Sequence, residues 1–181
     1  MKLVIPTMEY ESEIQAYRQE FLTEGGGMDG CGSLRRQERI SDWIKEVEDY
    51  LRKETCPPDM VTATQFIYIR EDDNKMVGAI QVRHYLNEYL ERFAGHIGYC
   101  VRPSERRKGY AARMLRDVLL ECGKLGLDKV MVSCADSNEG SRRTILKNGG
   151  IYECTVHEPD MDINLERYWI VTSGQGSNNR V

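Results

Sequence analysis

The sequence predicts a mixed α/β fold: a mostly antiparallel sheet of about seven strands with helices on both faces. Three observations carry that prediction. Two runs of β-forming residues, ATQFIYIR and MVGAIQVRHYL, flank the short polar turn EDDNK. The second half of the chain alternates strand-like with helix-like segments. Finally, 40% hydrophobic and 30% charged residues can bury one core and differ from a disordered or fibrous composition. The 181 residues hold no linker, so the chain reads as one domain over residues 1–171 with a mobile tail, 172–181, too poor in apolar residues to pack.

Residues 2–6, KLVIP, form a short first strand, and residues 9–22 follow with Ile14, Tyr17, Phe21 and Leu22 at helical spacing. The glycine-rich run GGGMDGCGS, residues 25–33, breaks that pattern as a flexible loop. A second helix is expected over residues 34–53, with Ile40, Trp43, Ile44, Val47, Tyr50 and Leu51 on one face, until Cys56-Pro57-Pro58 stops it. The β-forming runs make an antiparallel pair, residues 87–95 a loop or helical turn, and residues 96–101 another strand. Ala111, Leu115, Val118, Cys122 and Leu125 recur at steps of four and three, which marks an amphipathic helix ended by Gly126 as a left-handed cap. DKVMVSCA is a buried strand, SNEGSRRTILKN a helix ending at Gly149-Gly150, and IYECTVHE and INLERYWIV the last two strands. No internal repeat is visible.

A net charge of −4, from 25 Lys and Arg against 29 Asp and Glu, argues against a surface that attracts nucleic acid or anionic membrane as a whole. The six cysteines have no C-x-x-C spacing, and four sit in apolar runs, so they read as reduced thiols of a cytoplasmic protein. The amino-terminal apolar stretch is too short for a signal peptide, and no segment reaches membrane-spanning length.

The most informative stretch is YCVRPSERRKGYAARML. A strand ends at Val101-Arg102, Pro103 forbids its continuation, and Arg106, Arg107, Lys108, Gly109, Tyr110 and Ala111 lie where a helix must begin. A helix start exposes unpaired N–H groups and a positive dipole end, Gly109 and Ala111 leave the main chain accessible, and three cations add charge. Such a turn suits a pyrophosphate. It is neither a G-x-x-x-x-G-K-[ST] loop nor a G-x-G-x-x-G fingerprint. Instead Arg106-x-x-Gly109-x-Ala111, after a strand and V-x-P, resembles the [QR]-x-x-G-x-[GA] signature of the GNAT superfamily of N-acetyltransferases.

That resemblance spans roughly residues 64–170 and implies a GNAT-like fold with a splayed fourth strand. Acetyl-CoA is then the cofactor and coenzyme A the product, with the loop amides around the pyrophosphate and main-chain groups near Cys100 and Val101 holding the cofactor arm. Asn138, Ser141 and Gly149 stand where the family places an Asn at a helix start and a Gly beyond its end, although Asn138 alone reads as a helix cap. HYLNEYLERFAGHIGY and SRRTILKNGG look like a bacterial branch of predicted acetyltransferases.

The implied reaction is direct transfer of acetyl to a primary amine of a small molecule, an amino-acid derivative or a peptide. The alternative is a non-catalytic acyl-CoA sensor. His96 occupies the place where many superfamily members carry Glu and is the expected general base, with a half-buried structural His as the bland account and Glu88 and Glu91 in reserve. Ile145 replaces the family's acid Tyr, which leaves Ser141, Tyr152 or water to protonate the thiolate, or a thiolate departing without an acid. The carbonyl oxygen would face a main-chain N–H at Cys100 or Val101. Arg83, His84, Asn87, Tyr85 and Tyr89 adjoin the expected splayed strand and are candidates for the acceptor pocket, a polar strand end being the simpler account. The loop at residues 25–32 is expected to shape the acceptor site. Cys100 and Cys134 read as buried fillers, Tyr168 and Trp169 as core or pocket wall, and no metal site is indicated. The expected partners are the amine substrate, no nucleic acid and no membrane, with a homodimer left open.

Overall fold

The structure, a computed structural model, describes residues 1–172. Seven strands form, in two antiparallel sheets. The first sheet has the order β1 (Lys2–Val4), β2 (Ala63–Arg70), β3 (Lys75–Arg83), β4 (Ile97–Val101), and the second β5 (Lys129–Ala135), β7 (Ile163–Val171), β6 (Ile151–Glu158). The helices are α1 (Glu11–Glu24), α2 (Ile40–Tyr50), α3 (Tyr110–Lys124) and α4 (Glu139–Lys147). The expected tail from residue 173 lies outside the described residues; Thr172 is buried, its N–H donating to Asp128 O at 3.0 Å and its hydroxyl to Leu127 O.

Helices cover both faces. On one, Met114, Leu115, Val118 and Cys122 of α3 and Ile145 of α4 pack against Val77, Ile80, Val82 and Tyr168. On the other, Ile14, Tyr17 and Phe21 of α1 and Trp43, Ile44 and Val47 of α2 pack against Ile67, Ile69 and Ala79. Each large side chain buried this way contributes about 1.5–3 kcal/mol. Leu125, placed on the α3 face by its spacing, is exposed instead, because the helix has ended: Gly126 takes φ +78° there.

The second helix is shorter than its pattern. Residues 34–39 stay outside α2 because Glu46 competes for their polar groups. The Ser33 N–H and hydroxyl donate to Glu46, Gln37 Nε2 donates to Ser33 Oγ at 2.8 Å and Glu46 Oε2 at 3.1 Å, and Trp43 Nε1 donates to Cys31 O at 2.8 Å. The segment thus packs as turns with Cys31 and Leu34 fully buried.

The sheets meet at one point. His96 N–H donates to Met131 O at 2.8 Å, Met131 N–H donates to His96 Nδ1 at 3.0 Å, and Gly95 bridges Val132. Beyond that junction β4 pairs only with β3, so β4 and β5 part as the sequence resemblance implied.

Candidate functional site

The chain leaves β4 through Arg102, a short 3-10 turn at Pro103–Glu105, and the basic loop before α3. Two buried groups anchor it. Arg102 bonds Glu20 at 2.7 Å and Glu13 at 3.3 Å, and Glu20 also accepts from Ser104 N–H, tying the loop to α1. Burial alone would raise the Glu105 carboxyl, but Lys108, Lys75 and Arg70 together pull it down to about 2. Lys108 is therefore spent on Glu105. Arg106 lies over the Phe21 ring and donates to Val101 O at 3.3 Å.

Between the anchors the backbone is bare. Arg107 and Gly109 take positive φ, +61° and +81°. Among the described residues, the N–H groups of Arg107 through Ala112 find no acceptor. A Cβ built on Gly109 would meet nothing within 4 Å. Consecutive unpaired amides beside open space at a helix start fit a pyrophosphate.

Register decides which β4 groups face the opening. Arg83 N–H donates to His96 O and Arg102 N–H to Val77 O, with unbroken pairing between. Bonding in an antiparallel ladder alternates, so residues 98 and 100 also turn their main chain toward β3, while Tyr99 and Val101 present theirs to the side away from β3. Cys100 therefore drops out of the expected cofactor-arm donors and Tyr99 replaces it. The Cys100 thiol points into the core against Tyr17 Oη at 3.0 Å and Cys31 Sγ at 3.4 Å. Burial pushes the Cys134 thiol up to about 11, so it stays protonated.

His96 is ill suited to the base role. Its Nδ1 lone pair accepts the Met131 N–H, which places the remaining proton on Nε2. Burial, with Arg83 beside it, pulls the imidazolium down to about 4. The unfolded His96 binds a proton near pH 6.5 and the folded one only near 4, so stability falls as pH drops through that window. His96→Gln should flatten this dependence by up to about 3 kcal/mol, read as the difference in urea midpoints at pH 7 and pH 4.5. Equal slopes in variant and wild type would refute the assignment.

Asn138 caps α4, its Oδ1 accepting the Ser141 N–H at 3.1 Å. Ser141 Oγ lies 2.7 Å from the Tyr99 hydroxyl, so the pair joins β4 to α4. Burial pushes the Tyr99 phenol up to about 12. Tyr152 is exposed on β6 and pairs with Thr155.

On the α1–α2 face the 25–32 loop lies directly against β4. Gly30 and Gly98 touch through their backbones, and Gln65 Nε2 donates to Gly30 O at 2.8 Å. Of the expected acceptor residues, His84 is excluded because both ring nitrogens are taken, by Thr64 at 2.8 Å and Thr62 at 3.0 Å. Asn87 caps the π-turn Leu90–Ala94 through the Leu90 N–H. Tyr85 is exposed. An open depression of about 400 Å³ on this turn is lined by Asn87, Glu88, Tyr89, Arg92 and Phe93, none of them from the basic loop. Arg83 reaches the end of the same turn from β3, its Nη1 donating to Gly95 O at 3.0 Å.

Sequence reasoning missed Glu158. It is 1% exposed at the end of β6, accepts the Met161 N–H at 2.7 Å, and among the described residues has no cation within 4 Å. Its strand packs against the Leu90–Ala94 turn. A buried carboxylate with no cation beside it is a candidate for the site on that placement. No local pattern in IYECTVHE distinguishes it.

The profile of the acetyltransferase (GNAT) domain matches residues 16–151. No curated protein matches by sequence. Among solved structures, the ribosomal-protein-S5-alanine acetyltransferase of Vibrio fischeri superposes with a TM-score of 0.72 at 13% identity, over 97% of this chain and 94% of that one. The microcin C7 self-immunity acetyltransferase MccE, in complex with acetyl-CoA and AMP, gives 0.66 at 17% identity over 93% and 91%. RimL, a ribosomal L7/L12 α-N-protein acetyltransferase in complex with coenzyme A, gives 0.65 at 16% over 93% and 92%. At such identities the likeness is one of fold.

Proposed function

The chain belongs to the GNAT acetyltransferase family, and on that premise we propose that it moves the acetyl group of acetyl-CoA directly onto a primary amine of a small molecule, an amino-acid derivative or a peptide. The observation that carries the reading is the run of six unpaired amides from Arg107 to Ala112 beside the open space over Gly109, at the end of the strand that parts from β5. Structures of MccE with acetyl-CoA and of RimL with coenzyme A support the choice of cofactor.

When bound, acetyl-CoA supplies a thioester-activated acetyl group. The residues 107–112 hold the pyrophosphate with N–H groups and the α3 dipole, while Tyr99 and Val101 offer main-chain groups to the cofactor arm and the acyl carbonyl. Glu158 replaces His96 as the group that takes the acceptor's proton, directly or through a water. His96 positions the strand, since its ring and its N–H together fasten β4 to β5 at the point of divergence. The Ser141 hydroxyl, held by Tyr99, would donate a hydrogen bond to the leaving thiolate, which with a pKa of about 8.5 can then take its proton from solvent. Among the described residues no helix is long and apolar enough to cross a membrane, and a cytoplasmic setting belongs to the proposal.

Two measurements test it. Free thiol released from acetyl-CoA over a broad amine panel shows the transfer, and cofactor binding without release from any amine would favour the sensor. Glu158→Gln should lower kcat about 100-fold or more while cofactor affinity stays unchanged. An unchanged rate would remove Glu158 from the mechanism.

A further inference from the structure

Arg83, the last residue of β3, carries a cation that the fold does not neutralise. It lies on the face of the sheet that meets the 25–32 loop, beside Gly98 and Gly30. Its Nη1 donates to Gly95 O at 3.0 Å, a bond that orients the guanidinium and leaves its charge intact. Among the described residues no carboxylate approaches within the 4.0 Å of an ion pair. Among the described residues neither Nε nor Nη2 has a hydrogen-bond partner, and neither is sealed from solvent. Nη2 stands 3.5 Å from where a Gly98 Cβ would lie, so the glycine keeps this side of the fork open. Burial lowers the guanidinium's proton affinity, and the charge of Asp29, in the glycine-rich loop, opposes that effect.

A half-buried guanidinium with two donors open and unused can be completed by an anion. A planar fork suits a carboxylate, which accepts two parallel N–H groups. Asp29 belongs to the loop packed on the same face, so a molecule carrying both an amine and a carboxylate matches both signs. We propose that Arg83 receives a carboxylate of the acceptor, which makes the substrate an amine that also bears a carboxylate. The assignment rests on the transferase reading above. The carboxylate comes either from a free amino acid or from an acidic residue near a peptide's amino terminus.

The experiment uses matched acceptors with the full-length protein: alanine against alaninamide, and amidated peptides with aspartate against asparagine at the second position. Wild type should favour the carboxylate member of one pair at least tenfold in kcat/KM, and the pair that discriminates identifies the source. Arg83→Gln should bring that ratio to about two or less, and Arg83→Lys should retain part of it, with unchanged cofactor affinity and melting temperature confirming both folds. Equal use of both members by wild type, or discrimination that survives Arg83→Gln, overturns the proposal. If no acceptor releases thiol, the transferase reading fails by itself. Calorimetry of the same pairs on coenzyme A-loaded protein then decides Arg83: binding of the acid alone, lost in Arg83→Gln, sustains the carboxylate site, and no discrimination ends it.

Discussion

Gly109→Val should leave the fold standing and weaken coenzyme A binding at least 100-fold. The residue sits at φ +81°, where a β-branched side chain costs about 1–2 kcal/mol, and its Cβ meets nothing within 4 Å, so the substitution strains the loop without colliding with the protein. The added methyls instead occupy the space over the unpaired amides of residues 107–112. Losing two charge-assisted hydrogen bonds of about 1.5–3 kcal/mol each amounts to 100-fold or more in affinity. Gly126→Val is the control: that glycine has φ +78° and equally open surroundings at the far end of α3, so it carries the same backbone cost and no effect on binding. Calorimetric titration with coenzyme A and thermal melts of both variants separate strain from occlusion. Equal affinities in the two variants would remove the loop from the cofactor site.

The contrast between legible and hidden features follows from sequence distance. The β2–β3 hairpin, the Gly126 stop of α3, the Asn138 cap of α4 and the bare loop at Gly109 each depend on residues a few positions apart, and their periodicity or turn chemistry is printed locally. The α2 start lies later than its apolar pattern because Glu46 draws the polar groups of Ser33 and Gln37, a preference that propensity does not contain. The site itself is assembled at long range. Glu158 shows its missing counter-ion only after β6 folds against the π-turn, and His96 loses its lone pair to Met131, 35 residues away. Ladder parity, invisible without β3, exchanges Cys100 for Tyr99 among the strand's outward main-chain groups. Even the match to an acetyltransferase signature says little of Lys108, whose charge Glu105 absorbs.

Gly30→Ala tests the same long-range logic from the acceptor side, and it should be the most damaging single-atom addition in the chain. Gly30 has φ +73°, and its Cβ would fall inside the contact radius of Gly98 O and C and lie 2.6 Å from Tyr99 N. Gly98 turns its main chain into the β3 ladder, and Gly98 C and O and Tyr99 N share one peptide plane, so the loop must move instead. Lifting it breaks the Gln65 bond to Gly30 O, loosens Cys31 and Leu34 in the core and carries Asp29 away from Arg83. Backbone overpacking and left-handed strain together cost about 3 kcal/mol, or roughly 6–12 °C in Tm for a domain of this size. Gly126→Ala, at φ +78° with nothing within 4 Å, should cost only about 1 kcal/mol of strain. Because the Gly109 loop is held separately by Arg102 and Glu105, a surviving folded fraction of Gly30→Ala should bind coenzyme A normally and fail with the acceptor. Thermal melts and acceptor KM measured side by side decide the matter: a Gly30→Ala protein as stable as Gly126→Ala, with unchanged acceptor KM, would show that Gly30 and Gly98 do not hold the loop against β4.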